Sequence, residues 1–250
     1  MIPPQTFPRL QLHALSLLVL ALLSPAAANA QACSAPNFKA PRSFNVGEAS
    51  NAVAAGDFNR DGKPDLAVSN NYSSTVSILL GNGAAGLLAQ STVAVGQQPV
   101  AVVVGDVNND GKEDVITANE GSDDLTILLG DGAGHFVAPG QAGAGLGAKA
   151  LALADFNGDR KPDIVTANGE ANTVSLLVGD GAGHFIWSMD LAVGINPRFV
   201  LAADFNRDRK TDLAVANADS GDVSILTNTG GGNFTTATQL SVGLNPLSLA

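Results

Sequence analysis

The sequence predicts an all-β fold, a β-propeller built of four-stranded blades. Three observations carry this. A nine-residue aspartate loop occurs four times, with first aspartates at 57, 106, 155 and 204, a constant step of 49 residues. Short apolar and β-branched runs alternate with glycine-rich turns around each loop. Beyond the first 30 residues, no 3.6-residue apolar pattern runs long enough for a helix. Four copies at one spacing define a repeat protein, and about four strands per 49-residue unit is the arithmetic of a propeller blade.

The 250 residues are 45% hydrophobic, enough for one repeat array with a real core. Residues 1–30 read as a cleavable secretory signal. Arg9 gives a positive start, Leu15–Leu23 an apolar run too short to span a bilayer comfortably, and Ala28-Asn29-Ala30 a small-residue cleavage site. The mature chain is therefore expected to be secreted, periplasmic or at the cell surface, with no membrane span after cleavage. Residues 31–36 form a lead-in that carries Cys33, the one cysteine, which cannot make an internal disulfide.

Residues 37–250 form the repeat domain, with units at about 46–94, 95–143, 144–192 and 193–241 and a partial unit at 242–250. The 49-residue phase holds well outside the loops. Asn70, Asn119, Asn168 and Asn217 share one position; Gly83, Gly132, Gly181 and Gly230 share another. Phe136, Phe185 and Phe234 align, with Leu87 in that place in the first unit. In the second unit, Val100–Gly105 reads as a buried strand entering the loop and Asp114–Ala118 as the strand leaving it. Asp124–Leu129 is a third strand, Gly130–Gly134 a tight turn, and His135-Phe136-Val137 opens a fourth. The first strand of each unit is rich in alanine and valine, which suits a crowded strand near a propeller axis. The layout, tail of one unit first and head of another last, leaves unpaired end strands available for self-association.

The loops carry the chemistry. Each places oxygen-bearing side chains at positions 1, 3, 5 and 9: Asp57, Asn59, Asp61 and Asp65; Asp106, Asn108, Asp110 and Asp114; Asp155, Asn157, Asp159 and Asp163; Asp204, Asn206, Asp208 and Asp212. Hard oxygen donors in this pattern suit Ca2+, and no histidine or cysteine is present for a softer metal. Position 7 is Lys63, Lys112, Lys161 or Lys210, which could give its backbone carbonyl while its ammonium points to solvent. An EF-hand is excluded, because position 12 is Val68, Thr117, Thr166 or Val215 rather than glutamate and strands flank the loop. Up to four calcium ions are thus expected. They would add +8 against a formal net charge of −10.

The Asp-Phe-Asn-x-Asp-Gly-x-x-Asp loop and the Gly-Asp-Gly-Ala-Gly-x-Phe turn resemble FG-GAP repeats, also called VCBS-type repeats, as in integrin α-chain N-terminal β-propellers. The resemblance covers about residues 37–250. It implies calcium in the loop joining the first two strands of each blade, with the last aspartate often bidentate, and about seven blades in a complete form. This chain has four complete units and partial ends. A fragment, a small four-bladed ring and an open array pairing with another chain all fit that layout. A second departure lies at position 6, which is Gly62 and Gly111 in the first two loops but Arg160 and Arg209 in the last two. If the backbone there needs positive φ, the loops at 155–163 and 204–212 should bind calcium more weakly.

The acidic balance excludes nucleic acid as a partner. Aromatics are 5% of the chain, so stacking platforms are scarce. No Ser/His/Asp set, Cys/His pair or phosphate-cradling loop is present, and His135 and His184 recur in phase as turn residues. The expected function is a secreted, calcium-binding scaffold for binding or adhesion, not an enzyme, with a protein or carbohydrate ligand. A lectin-like propeller and a non-catalytic remnant of a larger propeller enzyme are the alternatives. Tyr72, Trp187, Arg198 and Glu120 break the repeat and are the places to look for recognition.

Overall fold

A computed structural model of the protein describes residues 42–84 and 86–250. The signal segment, the lead-in with Cys33 and the first residues of the repeat domain, 37–41, lie outside the described residues. Strands β1 (Ser50–Gly56), β2 (Asp65–Asn70), β3 (Thr75–Gly81) and β4 (Leu87–Ala94) form one antiparallel sheet in that order. The second sheet holds β5 (Pro99–Gly105), β6 (Asp114–Asn119), β7 (Asp124–Gly130) and β8 (Phe136–Gly143). The third holds β9 (Ala148–Ala154), β10 (Asp163–Asn168), β11 (Thr173–Gly179) and β12 (Phe185–Ala192). β13 (Pro197–Ala203), β14 (Asp212–Asn217), β15 (Asp222–Leu226) and β18 (Thr238–Ser241) form the fourth, beside a short hairpin of β16 (Asn228–Gly230) and β17 (Asn233–Phe234). Each sheet is a meander, so each is a blade.

The first strands β1, β5, β9 and β13 lie side by side in succession. The second strands are sandwiched: β6, β10 and β14 are buried along their whole length. Neighbouring blades cover both faces of β6 and β10, which is why these read as continuous apolar runs rather than as an alternation. The three hydrophobic clusters of the core lie between blades. Phe58, Val76 and Ile78 of the first blade meet Val102, Val115 and Leu128 of the second. Val107, Ile116 and Ile127 of the second blade meet Leu151, Ile164 and Leu177 of the third. Phe156, Val165 and Leu176 of the third blade meet Val200, Leu213 and Leu226 of the fourth. The repeat therefore stores its apolar burial at the interfaces, as a unit that cannot bury its faces alone must do.

The fourth blade departs from the expected single outer strand. In the first three blades a bulge interrupts the pairing of third and fourth strands, at Ile78/Leu79, Ile127/Leu129 and Leu176/Leu177. In the fourth this irregularity widens into a break between the hairpin β16–β17 and the pair β15–β18. Thr235 is the local cause. Its N–H donates to the Thr227 carbonyl (2.9 Å) and its hydroxyl accepts the Thr227 N–H (3.1 Å), so side chain replaces backbone in the ladder.

Candidate metal loops and the clamps beneath them

Each aspartate loop joins the first two strands of its blade. In the first, Asp57 accepts the N–H of Asp61 on Oδ1 (3.0 Å) and that of Gly62 on Oδ2 (2.9 Å). Asn59 Oδ1 accepts the Asp61 N–H (3.0 Å), and Asp61 Oδ1 accepts the Lys63 N–H (3.0 Å). The same frame recurs at Asp106, Asn108 and Asp110 and at Asp204, Asn206 and Asp208. At Asp155, Asn157 and Asp159 it differs in one bond, Asp155 Oδ1 accepting the Gly158 N–H (2.6 Å) instead of that of Asp159. Successive Asx turns thus fold the loop without help from outside.

The fourth acidic residue behaves differently. Asp65, Asp114, Asp163 and Asp212 are at most 1% exposed. Asp163 accepts the Phe156 N–H on Oδ2 (3.0 Å) and the Gly179 N–H on Oδ1 (2.9 Å). Asp65 does the same for Phe58 and Gly81, Asp114 for Val107 and Gly130, and Asp212 for Phe205 and Asn228. One carboxylate therefore ties the start of the loop to the end of the third strand. Burial, the dominant cause, raises the carboxyl pKa of Asp114 and Asp163, opposed by these backbone N–H bonds.

The lysines at position 7 correct one expectation. The ammonium groups of Lys63, Lys112 and Lys210 do not point to solvent. They turn back onto Asp61, Asp110 and Asp208 at 2.8, 2.9 and 2.9 Å. The lysine side-chain bond holds those three carboxyls below the usual carboxylate range. Lys161 forms no such pair among the described residues. Three carboxylates and an amide oxygen per loop fit a hard cation by donor type. Asp57, Asn59 and Asp61 with their equivalents would hold it through lone pairs the loop leaves free, although Asp204 Oδ1 already accepts two N–H groups, from Arg207 and Asp208. Among the described residues, however, no three His, Cys, Asp or Glu side chains converge closely enough to hold a metal ion as they stand.

Position 6 does need positive φ. Gly62 and Gly111 have φ of 77° and 76°, and Arg160 and Arg209 are held at 66° and 68°. Position 4 is also left-handed, at Arg60, Asn109, Gly158 and Arg207. The last loop therefore forces two arginines into a region that disfavours L side chains by about 1–2 kcal/mol each.

The in-phase asparagines form a second clamp. Asn70, Asn119, Asn168 and Asn217 are fully buried at the end of each second strand. Each Nδ2 donates to two residues of the third strand: Thr75 and Ser77, Asp124 and Thr126, Thr173 and Ser175, Asp222 and Ser224. The amide oxygen distinguishes the repeats. Asn119 Oδ1 accepts the Thr117 hydroxyl (3.0 Å) and Asn168 Oδ1 the Thr166 hydroxyl (2.9 Å). In the first and fourth blades that neighbour is Val68 or Val215, and Asn70 Oδ1 and Asn217 Oδ1 have no partner. A threonine placed there should supply the missing donor. Val215→Thr is expected to raise stability by about 1 kcal/mol in urea unfolding, although valine-to-threonine changes in a core ordinarily lower it. A loss instead would show that Asn217 gains nothing from the added hydroxyl.

Other sequence candidates fall into place. His135 and His184 sit in the outer turns, their Nδ1 atoms 3.0 Å from Asp131 and Asp180. Tyr72 is exposed, and Trp187 donates its indole N–H to Asp190 (3.1 Å) with much of the ring in solvent. Glu120 and Arg198 come together at one cavity, with Asn51, Val100, Lys149 and Leu247. Asn51 and Lys149 escape a reading that searches for what repeats. Their signal is the reverse: residues 51, 100, 149, 198 and 247 occupy one phase position and all differ. Among the described residues no helix is long and apolar enough to cross a membrane.

Comparison with known proteins agrees with this architecture. The FG-GAP-like repeat matches three times, over residues 57–117, 106–166 and 155–215. No curated protein matches the sequence. Among solved structures, a protein from Lactobacillus plantarum superimposes with a TM-score of 0.55 at 15% identity, over 80% of this chain and 57% of that one. A lectin from Agrocybe aegerita that recognises non-reducing terminal N-acetylglucosamine gives 0.50 at 20% identity, over 75% and 51%. A virginiamycin B lyase from Staphylococcus aureus, in an inactive form with quinupristin, gives 0.51 at 11% identity, over 77% and 55%. The chain spans little more than half the length of these structures, and at such identities they share its fold alone.

Proposed function

Because the chain belongs to the FG-GAP-like repeat family, we propose that it is an exported, non-catalytic binding scaffold whose aspartate loops take up calcium. The observation that carries this is the division of labour within the repeat. Residues that recur in phase are spent on hydrogen-bonded loops and buried clamps, whereas the residues that vary reach the surface. A calcium ion in a loop would draw on Asp57, Asn59 and Asp61 or their equivalents and supply positive charge now provided by a lysine. A rigid array that repeats its chemistry everywhere serves recognition better than catalysis, which needs an asymmetric set of groups.

Thermal melting in calcium and in chelator tests the metal. Each site filled at a hundred times its dissociation constant should add about 2.7 kcal/mol. Identical melting in both would overturn the calcium reading. The strained arginines set an order within it. The loop at 204–212, which alone holds arginines at both left-handed positions, should bind more weakly than the other three, where one of the two positions is glycine, and calorimetry giving four equal affinities would sink that order. A lectin-like role is the second reading, supported by Trp187, whose exposed ring lies beside Ile186 as an apolar platform.

A further inference from the structure

The cavity that gathers the five phase-equivalent positions is a mixed-charge site of about 230 Å³. Asn51, Val100, Lys149 and Arg198 lie in the first strands of the four blades, and Leu247 occupies the same phase one step on. These strands lie side by side, so the cavity sits where the blades converge. The buried clamp positions, Asp65 and Asn70 with their equivalents, are filled alike in each repeat. Here one position holds an amide, two different cations and two aliphatic groups.

The charges in the cavity are unequal. Lys149 is paired with Glu120, and its side chain is only 12% exposed. Arg198 is exposed, and no described residue offers its guanidinium a hydrogen bond or an ion pair. Asn51 likewise makes no side-chain hydrogen bond with a described residue. The cavity therefore presents one uncompensated cation, in a chain whose formal net charge is −10. A guanidinium offers a planar fork that matches a carboxylate in two parallel hydrogen bonds. Asn51 can donate to and accept from a hydroxyl, and Glu120 can accept from one. Val100 and Leu247 offer apolar surface to a carbon skeleton. The volume is below the usual range for drug-sized ligands and limits the occupant to a small molecule.

We infer that this cavity binds a small hydroxylated carboxylate of the uronic-acid type, held by Arg198. The inference rests on the reading of the protein as a binding scaffold, but it is independent of calcium. The Lys149–Glu120 pair orients the lysine and limits the site to a single negative charge.

Titration calorimetry of the whole chain with D-glucuronate, glucose and inorganic phosphate tests it. Glucuronate should bind and glucose should not. Arg198→Gln should weaken glucuronate binding by about tenfold or more, with the melting temperature unchanged because the side chain is exposed. Glu120→Gln should tighten it several-fold, because Lys149 is then free to contribute. Absence of glucuronate binding, equal binding of glucose, or binding indifferent to Arg198→Gln would overturn the proposal. Preference for phosphate over glucuronate would overturn the carboxylate assignment. A protein that melts identically with and without calcium, yet binds glucuronate through Arg198, would remove the metal reading and leave this one standing.

Discussion

Replacing Asp163 by alanine is expected to destabilise the protein by about 3 kcal/mol or more. The carboxylate is fully buried, and it accepts the N–H groups of Phe156 from the loop and Gly179 from the third strand, with the Asn157 N–H a longer third donor at 3.3 Å. Truncation leaves both donors without an acceptor, in a place where a buried unsatisfied group costs about 1–3 kcal/mol. For a domain of this size the loss corresponds to a fall in melting temperature of roughly 6–12 °C. Asp163→Asn retains the shape but presents an amide NH2 to one of the two donors, so it should also be destabilising. Either variant melting like the parent would show that the clamp does not hold the loop to the blade.

The same residue predicts a pH dependence whose sign separates clamp from ligand. Burial raises the Asp163 carboxyl pKa, so the folded chain takes up this proton at a higher pH than the unfolded one. The folded state then binds more protons between the two values, and this group's contribution to stability increases as pH falls through the raised value. It levels off below the unfolded value near 3.9. The difference in stability between the parent and Asp163→Asn should accordingly widen on acidification in chelator. Asp61, Asp110 and Asp208 act oppositely: lysine lowers their pKa, and what they contribute fades as pH falls through those lowered values.

Much of the fold is legible in the sequence because each repeat solves the same packing problem with the same residues. The phase of Ile78, Ile127, Leu176 and Ile225 marks the third strands, and the alanine-rich runs mark the first. The break at Thr235 is not legible, since a threonine that bonds through its hydroxyl and one that bonds through its backbone look alike in sequence. The loops show a similar limit. Positions 1, 5 and 9 are all aspartate, yet position 9 is sealed under the blade while the others stay near solvent. Spacing places oxygens together but does not say which lone pairs the backbone has already engaged. The asparagine clamp does leave a signal. Threonine or aspartate follows each asparagine by five residues and serine or threonine by seven, in all four repeats.

Phe156→Ala is expected to have an effect of similar size or larger, about 3–5 kcal/mol. Phe156 leaves the loop of the third blade and enters the interface with the fourth, where its ring meets Phe234 at a centroid distance of 6.2 Å. Its carbonyl accepts a hydrogen bond from Asn228 Nδ2 at 2.8 Å, so backbone and side chain cross the same boundary. Phe58 repeats the arrangement two boundaries earlier, between the first and second blades, edge-on to Phe136 at 5.3 Å. Phe205 is the in-phase equivalent in the fourth blade and is 45% exposed, against 1% for Phe156. Phe205→Ala in this chain should therefore change stability by less than about 1 kcal/mol. Because coupling in a repeat array passes between neighbours, Phe156→Ala should also loosen cooperativity, with the fourth blade unfolding ahead of the others in denaturant. Equal costs for the two substitutions, measured by urea unfolding, would show that stability resides within blades. The contrast between two phenylalanines at one repeat position would instead place it at the boundaries, where a binding scaffold needs its rigidity.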